Sequence, residues 1–164
     1  NRVDSRAALA LLFAAHRLGS RIMKTTLPKE TEIQRAWWLI DATGKPAGRL
    51  AVEICRLLRG RGKPDYAPHM DLGDFVVVIN SAKVGLSGNS KEDQKVYAKY
   101  TGYRSGYSET SAGVMRQKNP NYILWHAVRG MLPKNHLSRR LLLRLKLYPG
   151  AEHPHAAQNP QPVS

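Results

Sequence analysis

The chain has 164 residues, of which 42% are hydrophobic and 23% charged, so one folded domain is expected and wholesale disorder is not. Its charge is unusual: 26 Lys and Arg against 12 Asp and Glu give a formal net charge of +14. Such an excess indicates a polyanionic partner, with nucleic acid the leading candidate and an anionic membrane surface the second. The single cysteine, Cys55, excludes an intrachain disulfide and a cysteine-rich zinc site.

Residues 1–22 are expected to lie outside the folded domain. The apolar run Ala7–Ala15 resembles the centre of a signal peptide, but His16 and Arg17 follow where a small, neutral cleavage region belongs. Two origins stay open, a transit peptide and an untranslated stretch ahead of a start at Met23, and we favour the second. Removing four Arg and one Asp with this extension takes the net charge from +14 to +11, so the basic character belongs to the domain.

The first half of the domain predicts a strand, a helix and a second strand. Residues 23–36 are polar and predict an extended arm, and Trp37–Ile40 predicts a short buried strand. Pro46 suits the first turn of a helix that ends at Gly60, and its apolar stripe comprises Leu50, Ala51, Ile54, Leu57 and Leu58. Phe75–Ile79 is continuously apolar, which is typical of a strand covered on both faces. This order predicts a βαβ unit in a parallel sheet.

The second half predicts two short strands and two helices. Lys83–Leu86 and Lys95–Gly102 are the predicted strands, the latter alternating apolar and basic residues. Asn119 is the expected cap of a helix with the apolar stripe Leu124, Ala127, Val128 and Met131. Asn135 is the expected cap of a second helix, which reaches Pro149 and carries Leu137, Leu141 and Leu145 on one line.

These elements predict an N-terminal extension at residues 1–22, an α/β domain with its arm at residues 23–150, and a tail at residues 151–164. The proline-rich tail is expected to run extended over the surface. The sequence has neither an internal repeat nor coiled-coil heptads.

Two stretches hold basic side chains without any carboxylate between them. They are residues 56–63, with Arg56, Arg59, Arg61 and Lys63, and residues 129–146, with Arg129, Lys134, Arg139, Arg140, Arg144 and Lys146. A helix face in solvent normally mixes in acids to form ion pairs, and basic side chains near a helix C-terminus are favourable on their own. Two acid-free clusters on ordered elements favour phosphate contacts.

Tyrosines are interleaved with lysines and arginines around residues 95–107. Lys99, Tyr100 and Tyr103 are the candidate contacts there, because tyrosine rings stack on unpaired bases. Packing within a β-sheet explains the tyrosines equally well.

Sites of other chemistry are weaker. The Gly44–Gly48 turn lies between a strand and a helix, where a phosphate could bind, but it matches no nucleotide-binding motif. A small α/β enzyme that binds a phosphorylated ligand there is the competing hypothesis. His153 and His155 could supply two metal ligands, although contact with an anion is favoured. No nucleophile, base and orienting group form a catalytic set among the histidines and the candidates Asp41, Asp71 and Asp74, and no cofactor is expected.

Five segments together resemble the bacterial large-subunit ribosomal protein L13 family. They are WWLIDATGKPAGRLA (37–51), RGKPDYAPHMDLGDFVVVIN (61–80), KVYAKYTGY (95–103), VRGMLPKNHLSRR (128–140) and LKLYPGAEHPHAAQNPQP (145–162). The likeness runs in order from about Met23 to Pro162, whereas residues 1–22 have no counterpart and residues 104–114 follow the family only loosely.

The resemblance implies a three-layer α/β/α fold with a small, mostly parallel sheet and no enzymatic activity. It implies binding to large-subunit ribosomal RNA, neighbouring ribosomal proteins and a role in early subunit assembly; some members also bind messenger RNA. The location would be the ribosome of the cytoplasm, or of an organelle if residues 1–22 are a transit peptide. The RNA contacts carried over from the family are Arg49, Arg59, Arg61, Lys63, Arg129, Lys134, Arg139, Arg140, His153 and His155.

Overall fold

The structure is a computed structural model that describes residues 28–163, so the predicted extension at residues 1–22 lies outside the described residues. The strands are β1 (Trp37–Asp41), β2 (Phe75–Ile79), β3 (Val96–Tyr100), β4 (Tyr107–Ser111), β5 (Leu145–Leu147) and β6 (Gln161–Pro162). The helices are α1 (Ala47–Arg59), α2 (Lys91–Gln94), α3 (Ala112–Lys118), α4 (Tyr122–Met131) and α5 (His136–Leu143). Within residues 28–163 no helix has the length and apolar character needed to cross a membrane.

The predicted βαβ unit is confirmed. β1 pairs in parallel with β2, with Trp37 opposite Phe75 at one end and Asp41 opposite Ile79 at the other. β5 adds to β2 and β6 adds to β1, giving a parallel sheet in the order β5-β2-β1-β6. β3 and β4 form a separate antiparallel pair. The α/β class with a mostly parallel sheet is therefore confirmed.

α1 is amphipathic and well terminated. Four positions of its predicted stripe are buried, namely Leu50, Ala51, Ile54 and Leu58. Pro46 stands one residue before the helix as its N-cap. Gly60 ends the helix at φ 67°, and its N–H donates to the carbonyl of Leu57, because a residue without Cβ adopts this left-handed conformation at little cost.

The two faces of the parallel sheet are covered differently. Ile40, Val76, Val78 and Leu145 belong to one buried cluster with side chains of α1, α4 and α5. On the opposite face the Trp37 ring stacks on Phe75 with centroids 4.4 Å apart, and the ring of His155 from the tail lies 5.2 Å from Trp37. Helices cover the first face, and the tail reaches the second.

Some boundaries differ from the predictions. Lys83–Leu86 is not a strand: a 3₁₀ turn covers Ser81–Lys83, and only Gly85 forms an isolated bridge, to Pro46. Asn119 ends α3, a helix that the sequence analysis missed, and Asn121 is the N-cap of α4. The Asn119 side chain instead accepts the N–H of Asn121 at 3.2 Å within the connecting turn.

α5 begins where predicted but is shorter. The Asn135 carboxamide accepts the N–H of Ser138 at 2.9 Å, which confirms the cap. The helix ends at Leu143, because residues from Leu145 onward pair with β2 as strand β5. Leu145 is buried in the strand, so the leucine spacing alone did not distinguish this outcome from a longer helix.

The tail is extended, and its end becomes part of the sheet. Gln161 and Pro162 pair with Trp38 and Leu39 of β1, and the Val163 N–H donates to the Leu39 carbonyl at 3.0 Å. The sequence analysis expected only a surface path for this segment. A two-residue edge strand carries no apolar alternation that could have revealed it.

A buried carboxylate connects the arm, β1 and the loop after α1. Asp74 is 5% exposed and accepts hydrogen bonds from the Ala36 N–H at 3.0 Å, Trp38 Nε1 at 3.1 Å and Lys63 Nζ at 2.5 Å. Lys63 Nζ also donates to the carbonyls of Gln34 at 2.7 Å and Leu72 at 3.0 Å. The ion pair between Asp74 and Lys63 therefore lies where the arm, β1 and the loop after α1 meet.

Replacing Asp74→Asn should lower the free energy of unfolding by about 3 kcal/mol, because it leaves the Lys63 ammonium without its charge partner. Urea unfolding measures the change. Glu32→Gln is the control, since it breaks an exposed pair with Lys29 at 4.0 Å and should cost less than about 0.5 kcal/mol. Adding Lys63→Met to Asp74→Asn should cost less than the sum of the single changes. Equal effects of Asp74→Asn and Glu32→Gln would contradict this role.

Gly73→Ala should lower the free energy of unfolding by at least about 3 kcal/mol, because backbone cannot easily relieve overpacking. A Cβ at Gly73 would lie 1.7 Å from the carbonyl oxygen of Leu58. The matched control is Gly48→Ala within α1, where a Cβ meets nothing within 4 Å, and it should stabilise the protein by about 0.5–1 kcal/mol. Thermal unfolding of both variants checks the opposite signs.

Candidate nucleic-acid interface

The fold brings the basic residues of α1 next to the end of α4. The Cys55 thiol of α1 donates to the carbonyl of Val128 in α4 at 3.7 Å. Arg56, Arg59 and Arg61 line an open groove together with Met131, the last residue of α4. The first basic cluster therefore lies beside the start of the second, although the two are far apart in the sequence.

Most of the lysines and arginines that were predicted to contact RNA are exposed. Within residues 28–163 none of the exposed Lys and Arg candidates forms an ion pair. These side chains are Arg49, Arg56, Arg61, Lys99, Arg129, Lys134, Arg139 and Arg140. Arg59 is half-buried and donates to the neutral hydroxyl of Tyr66 at 3.0 Å, so its charge also remains available. Lys146 is half-buried in β5.

Arg144 and Lys63 do not belong with these exposed cations. The Arg144 side chain is 12% exposed; its guanidinium pairs with the Asp71 carboxylate, donates to the Gly73 carbonyl at 2.9 Å and lies over the Phe75 ring. Lys63 pairs with Asp74 in the same manner. Both clusters lack acids along the chain, but the fold supplies the acids from residues 71–74. Their charges are therefore balanced within the protein, and their contact with RNA stays a prediction.

Strands β3 and β4 form a hairpin, and its residues Tyr100 and Tyr103 face solvent. Tyr100 and Tyr103 are 66% and 80% exposed, and Lys99 is also exposed. In β3 the Tyr97 side chain points inward. Its ring packs edge-on against the rings of Tyr122 and His126, with centroids 5.3 Å and 5.2 Å away. Val96, Ala98 and Tyr100 form the apolar side of the predicted alternation, and they face outward. Tyr97, from the other side, packs against α4 instead.

The tail histidines are held by the body of the protein. His155 Nε2 lies 2.9 Å from the Tyr148 hydroxyl, and the His155 N–H donates to Nδ1 of His153 at 3.2 Å. Both histidines are half-buried. Among the described residues no group of three or more His, Cys, Asp or Glu could hold a metal. The geometry gives His155 a role in anchoring the tail across Trp37.

The Gly44–Gly48 turn has little capacity left for a phosphate. The N–H groups of Gly44, Lys45 and Ala47 donate to the carbonyls of Lys83, Ala42 and Gly85, at 3.2, 3.2 and 2.9 Å. The turn therefore connects β1 to the segment after β2. These bonds occupy three of the turn's four backbone N–H groups, which weakens the competing enzyme hypothesis.

Asp41, a candidate for catalysis in the sequence, and the single cysteine Cys55 both have structural roles. Hydrogen bonds from Asn80 and Thr43 lower the pKa of Asp41 to about 2, which keeps the carboxylate ionised as the acceptor of its turn. Burial raises the pKa of the Cys55 thiol to about 11, so the thiol stays protonated and unreactive near neutral pH, as expected for a core residue.

Two apolar side chains of the groove, Val52 and Met131, were not predicted from the sequence. Val52 lies off the apolar stripe of α1 and is 58% exposed, and Met131 was assigned to the core although it is 45% exposed. An apolar residue on the polar face of a predicted helix was the available signal for Val52. Met131 gave no such signal, because its spacing fits the buried stripe of α4.

The chain was compared with known proteins. The sequence profile of the family described as "Ribosomal protein L13" matches residues 35–154. The large ribosomal subunit protein uL13 of Rubrobacter xylanophilus is 54% identical over 140 residues, covering 85% of this chain and 97% of the relative. The uL13 protein of Clostridioides difficile is 52% identical over 139 residues, covering 85% and 96%. That of Thermotoga maritima is 48% identical over 142 residues, covering 87% and 95%.

These matches extend over nearly the whole length of each relative, and each relative is named as a ribosomal protein. The family is one of structural ribosomal proteins, so the expectation that the chain is not an enzyme is confirmed. The exposed basic clusters, the parallel sheet and the sequence identity agree, and the chain belongs to the ribosomal protein L13 family.

Proposed function

We propose that this protein is a structural constituent of the large ribosomal subunit that binds large-subunit ribosomal RNA through its exposed cations. One observation carries the proposal: three cations with structural contacts have an acidic partner, whereas among residues 28–163 the exposed cations of α1, α4 and α5 have none. Lys63, Arg116 and Arg144 pair with Asp74, Glu92 and Asp71. Within the described chain Arg139 and Arg140 have no such partner and are exposed.

Phosphate groups suit these side chains chemically. A guanidinium donates two parallel hydrogen bonds to phosphate oxygens, and each neutralised phosphate releases counterions. α1, α4 and α5 hold their cations on a packed core, so little flexibility is lost when RNA binds. RNA helices that repel each other could then approach across this surface, which is the proposed contribution to subunit assembly.

The hairpin offers a second, chemically different contact. Tyr100 and Tyr103 are largely exposed beside Lys99, and exposed tyrosines next to cations stack on unpaired bases. Neighbouring ribosomal proteins are the other proposed partners. Messenger RNA binding, which the family resemblance implies, would use the same cations, since phosphate contacts carry no sequence information.

Affinity for deproteinised large-subunit RNA should fall roughly 10³- to 10⁵-fold between 50 and 200 mM salt if roughly six to ten phosphates are contacted. Filter binding or fluorescence anisotropy measures the constant at each salt concentration. An affinity that stays constant over this range would exclude counterion release as the source of binding.

Replacing Arg139→Glu and Arg140→Glu together should weaken RNA binding at least tenfold and prevent incorporation into large subunits, because two cations become repulsive charges beside phosphate. The matched control is Lys91→Glu with Lys118→Glu, which makes the same change of charge at exposed positions outside the proposed surface. Co-sedimentation with subunits checks incorporation, and circular dichroism checks folding. Normal incorporation of the Arg139/Arg140 variant would place the interface elsewhere.

A further inference from the structure

An open groove of about 560 Å³ lies between α1 and the last residue of α4. Its volume falls within the range of pockets that hold small ligands, roughly 300–1,000 Å³. Six residues line it: Val52, Cys55, Arg56, Arg59, Arg61 and Met131. The exposed phosphate-binding surface does not by itself explain why half of this lining is apolar.

The floor of the groove consists of uncharged, apolar side chains. Val52 and Met131 are 58% and 45% exposed, although both types of side chain are normally buried. Cys55, which is largely buried, also lines the groove, and its thiol is directed to the Val128 carbonyl. Covering the floor with an apolar group is therefore favourable, by about 25 cal/mol for each Å² of apolar surface removed from water.

The walls of the groove are cationic. Arg56, Arg59 and Arg61 line it and no carboxylate does. Within residues 28–163 none of the three forms an ion pair. The hydrogen bond from Arg59 to the Tyr66 hydroxyl holds this guanidinium at the edge of the groove without neutralising it.

We infer that this groove receives one unstacked nucleotide of ribosomal RNA, with its base on Val52, Cys55 and Met131 and its phosphates at the three arginines. This inference rests on the proposed function and names a specific contact within it. A nucleotide provides a flat, poorly hydrated base and an anion within one residue, which matches both parts of the lining. An apolar side chain of a neighbouring protein would cover the floor but leave three buried arginine charges without anions, which is costly.

The test separates the base from the phosphates. Val52→Ser with Met131→Gln makes the floor polar without changing any charge, and it should weaken binding to deproteinised large-subunit RNA about five- to tenfold. The slope of affinity against salt should stay unchanged, because no phosphate contact is lost. Arg59→Gln with Arg61→Gln should instead reduce that slope by about two units.

The control for the floor variant is Val114→Ser, which replaces a valine 43% exposed on α3, outside the groove. Its affinity for the RNA should equal that of the unmodified protein. Thermal unfolding of all variants verifies that an altered affinity does not arise from partial unfolding.

The outcomes distinguish the two proposals. RNA binding with the expected salt slope, together with a floor variant that binds like Val114→Ser, would overturn the nucleotide site and leave the proposed function standing. Normal RNA binding by the floor variant with failed incorporation into subunits would also overturn it, in favour of a neighbouring protein. Absence of salt-dependent RNA binding by the unmodified protein would overturn the proposed function itself.

Discussion

An ion pair between half-buried Lys63 and buried Asp74, eleven residues apart in the sequence, joins the arm, β1 and the loop after α1. Asp74 lies immediately before β2 and accepts hydrogen bonds from the arm and from Trp38 of β1, while Lys63 closes the loop after α1. A buried carboxylate is stable only when its oxygens are occupied by donors and its charge is balanced. This requirement places the end of α1, and with it Arg59 and Arg61, at a defined position relative to the sheet.

The small number of carboxylates also explains why the surface is positively charged. The chain has few carboxylates, and several of them pair with cations whose positions are structural, as in Asp71 with Arg144 and Glu92 with Arg116. Along the described chain the remaining cations of α1, α4 and α5 form no such pairs, and all of them except the half-buried Arg59 are exposed. Like charges held close on a rigid body repel each other, and the proposed RNA partner would relieve this repulsion. The excess of charge is thus carried by the proposed binding surface more than it is required by the fold.

The tail shows how the second face of the sheet is completed. His155 packs on Trp37 and contacts the Tyr148 hydroxyl, and the chain then returns to β1 as strand β6. Aromatic stacking of Trp37 on Phe75 provides the surface on which this segment rests. Histidines that resemble an anion or metal site in the sequence therefore act first as packing and hydrogen-bonding groups.

The sequence by itself determined the elements whose signals are local. The stripe of α1 with Gly60 after it, the apolar run of β2 and the Asn135 cap each depend on neighbouring residues, so propensity and periodicity revealed them. Tertiary structure decided what depends on distant partners: the acids that neutralise Lys63 and Arg144, the strands β5 and β6, and the inward turn of Tyr97. It also decided which apolar side chains stay exposed beside arginines, because only the packing of α1 against α4 leaves Val52 and Met131 uncovered.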